Sequence, residues 1–405
     1  MMKKLFSLPL LALLLTVTGC IPAELQFHPL PENPADPVVI AALLPLTGSN
    51  KIYAEQMKEG LQAAETVVNQ RQRGISGRRL QMAFFDTKGT AEGTAQALQD
   101  ARSQGAIAVV AGYDTGEVAM ITAQADRLQM PMIIPLATSD YHSGSSPFVY
   151  RNCFSDTQQM EVLASFLAFW RQKNTGAIVT DPAGDDEYTR GISRNFTQSV
   201  TDLGGSITCN MVLQNGQLLT EGQLRSLLMT EPQFILISAR GQRAAQLVRQ
   251  LREAGFYGIL CGPDSWDDDE FTNALNGTDP GECVFTAFFN PQNNSQEYTT
   301  FRQEFRRRFY HYPGACETQS YDALIFLAIA LNNTDNLWDF DRNWRQIINF
   351  QGAAATYTML RNGGLDRTVY LKSFGVDRSS GTPRPIPRLT KELQYSKLRD
   401  YQVIE

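Results

Sequence analysis

The sequence predicts an α/β protein built as two doubly wound, Rossmann-like parallel-sheet lobes, on three observations. Short apolar runs rich in Val, Ile and Ala alternate with stretches that keep one apolar face at helical spacing. The alternation runs through two successive sets. The chain has 405 residues, more than one ordinary core holds. The clearest unit is Ala106 to Asp140, which reads as strand, glycine-bearing turn, helix, strand and polar turn. Gly112 and Gly116 bracket Tyr113, Asp114 and Thr115 where a strand opens into a helix, and Ala137-Thr138-Ser139-Asp140 follows the return strand. Both turns follow strand C-termini, so they line one crevice, with backbone N–H groups and a positive helix end above the sheet.

Taken in order, Lys3 and Lys4 precede the apolar run Leu5 to Val17, and Val17-Thr18-Gly19-Cys20 follows. The run is too short to span a bilayer and reads as a secretory signal over residues 1–19. Cys20 after Gly19 makes it look like a bacterial lipobox, with Cys20 lipidated as the mature N-terminus; an ordinary signal with a chance cysteine is the alternative. Ile21 to Pro37 carries five prolines and no periodicity, so 20–37 is an anchor and tether. Val38 to Leu44 is a buried strand, and Tyr53 to Gln70 a helix with Met57, Leu61, Ala64 and Val68 on one face. Leu80 to Phe85 is a strand and Thr90 to Ser103 a helix. After the central unit come strand Phe148 to Cys153 and helix Asp156 to Arg171. The second set has strands at Ala177–Thr180, Ile207–Leu213, Phe234–Ser238 and Gly258–Cys261, with helices Glu187–Leu203, Glu221–Met229 and Gly241–Ala254 between them. Strand Val284–Phe288 and helices Thr299–Phe309 and Ser320–Asn332 follow, then two short strands, Thr356–Arg361 and Thr368–Phe374, divided by Asn362-Gly363-Gly364.

Composition narrows the function. With 43% hydrophobic and 19% charged residues the chain is globular. Its net charge of −6 becomes −8 once residues 1–19, with two lysines and no acids, are removed, which argues against a nucleic-acid partner. Beyond Cys20, Cys153, Cys209, Cys261, Cys283 and Cys316 remain, an odd number that allows two disulfides and a free thiol; Cys261 with Cys283 is the expected pair. The three histidines, His28, His142 and His311, and the lack of Cys-x-x-Cys make a metal or redox centre unexpected. There is no Walker P-loop, Gly-x-Gly-x-x-Gly or serine nucleophile elbow, so neither a cofactor nor catalysis is expected.

Seven motifs in order carry a resemblance: Leu44-Pro45-Leu46-Thr47-Gly48, Gly112 to Gly116, Ala137-Thr138, Phe148-Val149-Tyr150-Arg151, Asp185-Asp186-Glu187-Tyr188, Gly262-Pro263-Asp264-Ser265-Trp266-Asp267 and Ser320-Tyr321-Asp322-Ala323. From Val38 to about Phe374 the chain resembles the type I periplasmic binding proteins, specifically the branched-chain amino acid and amide-binding lipoproteins of ABC importers. The resemblance implies a clamshell with three crossover strands, near Cys153, near Phe288 and in the final strand pair. Lobe I would then comprise 38–152 with 289–366, and lobe II 153–288 with 367–405. It further implies a lipid-anchored, extracytoplasmic monomer of the cell envelope that captures a small molecule and meets ABC permease subunits. A sensory module signalling to another protein is the alternative on the same fold.

By position, the resemblance puts a ligand carboxylate on Thr115 with the neighbouring N–H groups of the turn that holds Tyr113, and on Ala137 with Thr138; Thr115 as a plain helix cap is the alternative. Asp114 in the same turn is a departure that repels a carboxylate unless it caps the helix. Tyr53 would be an aromatic wall, Tyr188 a closing tyrosine and Trp266 a second lid, although Tyr53 and Trp266 are equally suited to packing. Asp264 would pair with the ligand ammonium, or be an exposed turn aspartate. Arg240 stands where the leucine, isoleucine and valine binders are aromatic, and Cys316 with Glu317 where they place an apolar contact. With Asp114, Arg240 and Glu317 in the cleft, a polar or charged amino acid, amide or short peptide-like ligand is expected rather than a branched-chain one. The alternative is that Arg240 and Glu317 pair or face solvent. Asp114 either turns away to cap its helix or faces the ligand.

Overall fold

The computed structural model describes residues 30–398 apart from 32, 141–145, 184–185, 215, 361–364 and 380–381. The signal segment, Cys20, His28, His142 and the Asn362-Gly363-Gly364 turn lie outside the described residues.

The first layer alternates β1 (Val38–Leu44), α1 (Lys51–Arg71), β2 (Leu80–Asp86), α2 (Ala91–Ser103), β3 (Ala108–Val110), α3 (Thr115–Leu128), β4 (Met132–Ile134) and β5 (Val149–Arg151). Its sheet is parallel, in the order β2-β1-β3-β4-β5. Strands β1, β3 and β4 are almost wholly buried, which is why they read as unbroken apolar runs rather than alternating ones. Met57, Leu61, Ala64 and Val68 of α1 are fully buried, as their spacing requires.

The second layer begins with α4 (Asp156–Ser165) and continues through β6 (Thr175–Thr180), α5 (Asp186–Asp202), β7 (Ser206–Val212), α6 (Glu221–Leu228), β8 (Phe234–Ser238), α7 (Gly241–Glu253), β9 (Ile259–Gly262), α8 (Asp269–Ala274) and β10 (Cys283–Ala287). Helices α9 (Gln296–Phe309), α10 (Ala315–Leu331) and α11 (Leu337–Arg345) follow, and α9 and α10 pack on α1 of the first layer. The chain ends in β11 (Phe350–Gln351), β12 (Thr356–Met359), β13 (Leu365–Asp377) and β14 (Arg384–Gln394). The second sheet runs β7-β6-β8-β9-β10-β13-β12-β11, with β14 on β13. Its β10 is parallel to β9 and antiparallel to β13. Among the described residues no helix is long and apolar enough to cross a membrane.

Three sequence expectations fail for identifiable reasons. The pairing of Cys261 with Cys283 does not form, and both thiols are free. Cys261 lies opposite Val284 and Cys283 opposite Leu260, so the two cysteines are one residue out of step and face opposite sides of the sheet. Each belongs to a different apolar cluster. Helix α10 starts at Ala315, not Ser320, because Glu317 reaches back to accept the Gly314 N–H at 2.9 Å. Strand β14 was not expected because its side chains are largely exposed and Pro385 and Pro387 interrupt it, a pattern only an outer strand tolerates.

The layers are joined around one buried arginine. Arg367 of β13, with no exposed surface, donates to the carbonyl oxygens of Asn152 at 2.8 Å and of Phe288, the residues that follow β5 and β10. Its guanidinium also lies over Phe154, Phe288 and Tyr357, with ring centres 5.3, 5.6 and 5.0 Å away. Asn152 and Gln319 add a reciprocal pair of side chain to backbone bonds, 2.9 and 2.7 Å long.

Candidate functional site

A cleft of about 620 Å³ lies between the two layers. From the first it takes Ser49, Asn50 and Tyr53 at the start of α1, Tyr113 to Gly116, Leu136 to Thr138, and Ala315 with Cys316. From the second it takes Ala183, Tyr188, Arg240, Gly241, Asp264, Ser265, Asp267, Asp268 and Glu270, and Phe288 lies beside the Arg367 junction. Strand-to-helix turns supply most of these residues, because parallel strands of both sheets point their C-terminal ends at the cleft.

On the first layer, Asp114 caps α3 by accepting the Glu117 N–H at 2.9 Å, and Glu117 accepts the Tyr113 N–H at 3.0 Å. This settles which residue caps the helix: it is Asp114, not Thr115, while Asp114 still borders the cleft. The Thr138 hydroxyl is bound to the buried Asp156, whose carboxyl is pushed up to about 7 by burial, with Asp264 and Asp140 adding to the effect. Tyr53 and Tyr113 stack with ring centres 5.0 Å apart. The Tyr53 hydroxyl donates to Asp268 at 3.3 Å, a bond between the layers.

On the second layer, Asp264 is held by a relay of polar side chains. Tyr188 and the Gln159 carboxamide each donate to its Oδ1 at 2.8 Å. Gln159 also donates to Asp156 at 3.1 Å, and its oxygen accepts from the Asp264 N–H and the Thr286 hydroxyl at 3.1 and 2.7 Å. Burial pushes the Asp264 carboxyl up, against the opposing pull of Tyr188, Gln159 and Arg240. The Arg240 guanidinium lies 4.1 Å from the centre of the Tyr188 ring. Asp267 is tied to Lys372 at 2.7 Å. Asp268 caps α8 through the Phe271 N–H, and burial together with Glu270 pushes its carboxyl up to about 6.

Of the residues singled out in the sequence, Tyr53, Tyr113, Asp114, Thr115, Ala137, Thr138, Tyr188, Arg240, Asp264 and Cys316 meet in this cleft. Trp266 does not: it is fully buried against Phe271 at 4.5 Å and Phe285 at 6.2 Å, so it is core and not a lid. The space for its ring comes from Gly262, where a Cβ would come within 2.2 Å of the indole. Glu317 is also absent from the lining. It is 3% exposed, caps α10, and stands with Glu59 and His311, whose ligand atoms lie within 4.8 Å of one another. Glu317 therefore does not pair with Arg240. Sequence reasoning missed Ser49, Asn50, Asp268, Glu270 and Phe288; for two of them the signal was the acidic run Asp267-Asp268-Asp269-Glu270 directly after the recognised turn.

Comparison with known proteins agrees with this architecture. The family model for periplasmic binding proteins matches residues 37–364. Leu/Ile/Val-binding protein homolog 3 of Brucella melitensis is 23% identical over 250 residues, 62% of this chain and 67% of that one. Leu/Ile/Val-binding protein BraC3 of Rhizobium johnstonii is 25% identical over 268 residues, 65% of this chain and 71% of that one. The branched-chain amino acid transporter substrate-binding protein of Streptococcus pneumoniae, solved in complex with isoleucine, superposes with a TM-score of 0.73 at 20% identity, covering 88% of this chain and all of that one (100%). With one parallel and one mixed sheet and the cleft between them, the chain belongs to the periplasmic binding protein family, as a type I extracytoplasmic solute-binding protein and not an enzyme.

Proposed function

We propose that the protein is a lipid-anchored solute-binding component of an ABC importer, capturing a small polar ligand, an amino acid, amide or short peptide-like compound, between its lobes. The observation that carries this reading is Asp264, a partly buried carboxylate fixed by Tyr188 and Gln159 on the cleft wall. Both donors land on Oδ1, so the rest of the carboxylate serves as a positioned acceptor for a ligand N–H. Tyr53, Tyr113 and Thr115 on one side and Tyr188 with Arg240 on the other close around the ligand, and closure is stabilised by contacts made to both lobes at once.

Lobe I is assigned to 38–152 with 289–366 and lobe II to 153–288 with 367–405, a division supported by α9 and α10 packing on α1 and by β13 pairing with β10. Cleavage before Cys20 and its lipidation hold a monomer at the envelope, facing the permease subunits. The test is a thermal-shift screen of the mature chain over amino acids, amides, amines and dipeptides, which needs no prior choice of ligand. For whichever solute stabilises the protein, Asp264→Ala weakens binding by about 2–4 kcal/mol, from loss of a buried charged partner. Unchanged affinity in calorimetry removes Asp264 from the site.

A further inference from the structure

We propose that the cleft is built for a small organic cation that carries no carboxylate, a diamine or guanidino compound; this rests on the solute-binding reading above and replaces its ligand class. The charge balance is the first support. Among the described residues, Asp114, Asp264, Asp268 and Glu270 line the cleft with one arginine, Arg240, and a further lining carboxylate, Asp267, is bound to Lys372 at 2.7 and 2.8 Å.

The second support is what sits on the helix N-termini. A ligand carboxylate is ordinarily taken up there, by free N–H groups and the positive helix end. Of the helices that start at the cleft, α3 and α7 carry a carboxylate of the protein itself, while α1 begins at Asn50 with no side-chain cap. Asp114 accepts the Glu117 N–H of α3 at 2.9 Å, and Glu270 accepts the Gln242 N–H of α7 at 3.3 Å. The α7 arrangement is built into the backbone: Gly241 has a φ of +44°, and a Cβ at that position would come within 2.6 Å of the Glu270 carboxyl carbon. A ligand carboxylate at either place meets like charge.

Third, the walls between these carboxylates are aromatic. Tyr53 and Tyr113 stack at 5.0 Å, and Tyr188 and Phe288 complete the lining. The Arg240 guanidinium already lies on the Tyr188 ring at 4.1 Å, so this wall accepts a planar cation on a ring face. An ammonium or guanidinium seated between tyrosine rings and the Asp268 and Glu270 carboxylates gains ring-face attraction and charge-assisted hydrogen bonds together.

The test uses the mature chain with 1,5-diaminopentane, agmatine, lysine and leucine, read by thermal shift and by calorimetry. Lysine is 1,5-diaminopentane with a carboxylate added beside one amine, so the pair isolates the carboxylate. The expected result is stabilisation by the diamine or agmatine, weaker binding of lysine, and no shift with leucine. Glu270→Gln and Asp268→Asn each weaken amine binding about tenfold or more, with ligand-free melting temperatures confirming that the variants fold. Tighter binding of lysine or leucine than of either amine overturns the proposal and leaves solute binding standing. So does stabilisation by another solute of the wider screen with none by the amines. No stabilisation by any solute overturns both readings.

Discussion

The protein buries charge in two places and uses it in opposite ways. At the junction of the layers, Arg367 has no exposed surface and is surrounded by carbonyl oxygens and ring faces that come from residues 152 to 357. In the cleft, carboxylates stand on helix N-termini or on the Tyr188 and Gln159 donors while remaining open to the ligand space. The junction's hydrogen bonds tie distant parts of the chain to one another, and so serve stability; the cleft's polar groups are arranged around a space, and so serve binding. The same chemistry acts as structure or as function depending on whether the last partner belongs to the chain.

Removing the junction charge gives the largest expected effect. Arg367→Met keeps most of the volume but takes the guanidinium donor from the Phe288 carbonyl and leaves the Asn152 carbonyl with Gln319 alone, so urea unfolding shows a loss of about 1–3 kcal/mol. A variant as stable as the parent breaks the contrast. Next comes pH. Asp156 lies behind the cleft, bound to Thr138 and Gln159, and burial raises its carboxyl to about 7, against about 3.9 unfolded. The folded state then holds more protons than the unfolded one between those values, so this group's contribution falls as pH rises from about 4 to about 7. Melting curves are expected to rise on acidification from pH 7.5 to about 5.5, and Asp156→Asn to flatten that slope; an unchanged slope removes Asp156 as the titrating group.

A smaller effect is expected in the cleft. Glu270 is exposed, and Glu270→Gln changes ligand-free stability by no more than about 0.5 kcal/mol. A loss comparable to that of Arg367→Met would move this carboxylate into the structural class. The smallest effect is that of a reductant. With Cys153, Cys209, Cys261, Cys283 and Cys316 all free, a reducing agent leaves the melting temperature unchanged, and all five react with a thiol reagent in denaturant. A lowered melting temperature on reduction points to a disulfide that the sheet register forbids for Cys261 and Cys283.

What the sequence revealed follows the range of each interaction. Strand-to-helix turns are local, so Tyr113 to Thr115, Ala137 with Thr138 and Asp264 were readable as cleft residues from the order of short motifs. Side-chain direction is not local. Trp266 turns inward because Gly262 leaves room for it, Glu317 turns back onto Gly314, and Cys261 and Cys283 differ by one step of register. Gln159 and Arg367 were not foreseen at all: their partners lie 105 and 215 residues away, and neither sits in a distinctive motif. The Glu270 carboxylate over α7 belongs with them, although Gly241 at the helix start was a local trace of it.

The position of Arg367 also sets an order in time. During synthesis the strands it joins, β5 and β10, are made before the residue that ties them. Helix α10, which covers α1, likewise arrives only after the whole second set of strands up to β10. Neither layer is complete until α10 and β13 emerge, and until then the apolar face of α1 and the outer edge of β10 stand open. A nascent chain with both sheets begun is still without its junction, and the residue that ends that interval is a single arginine.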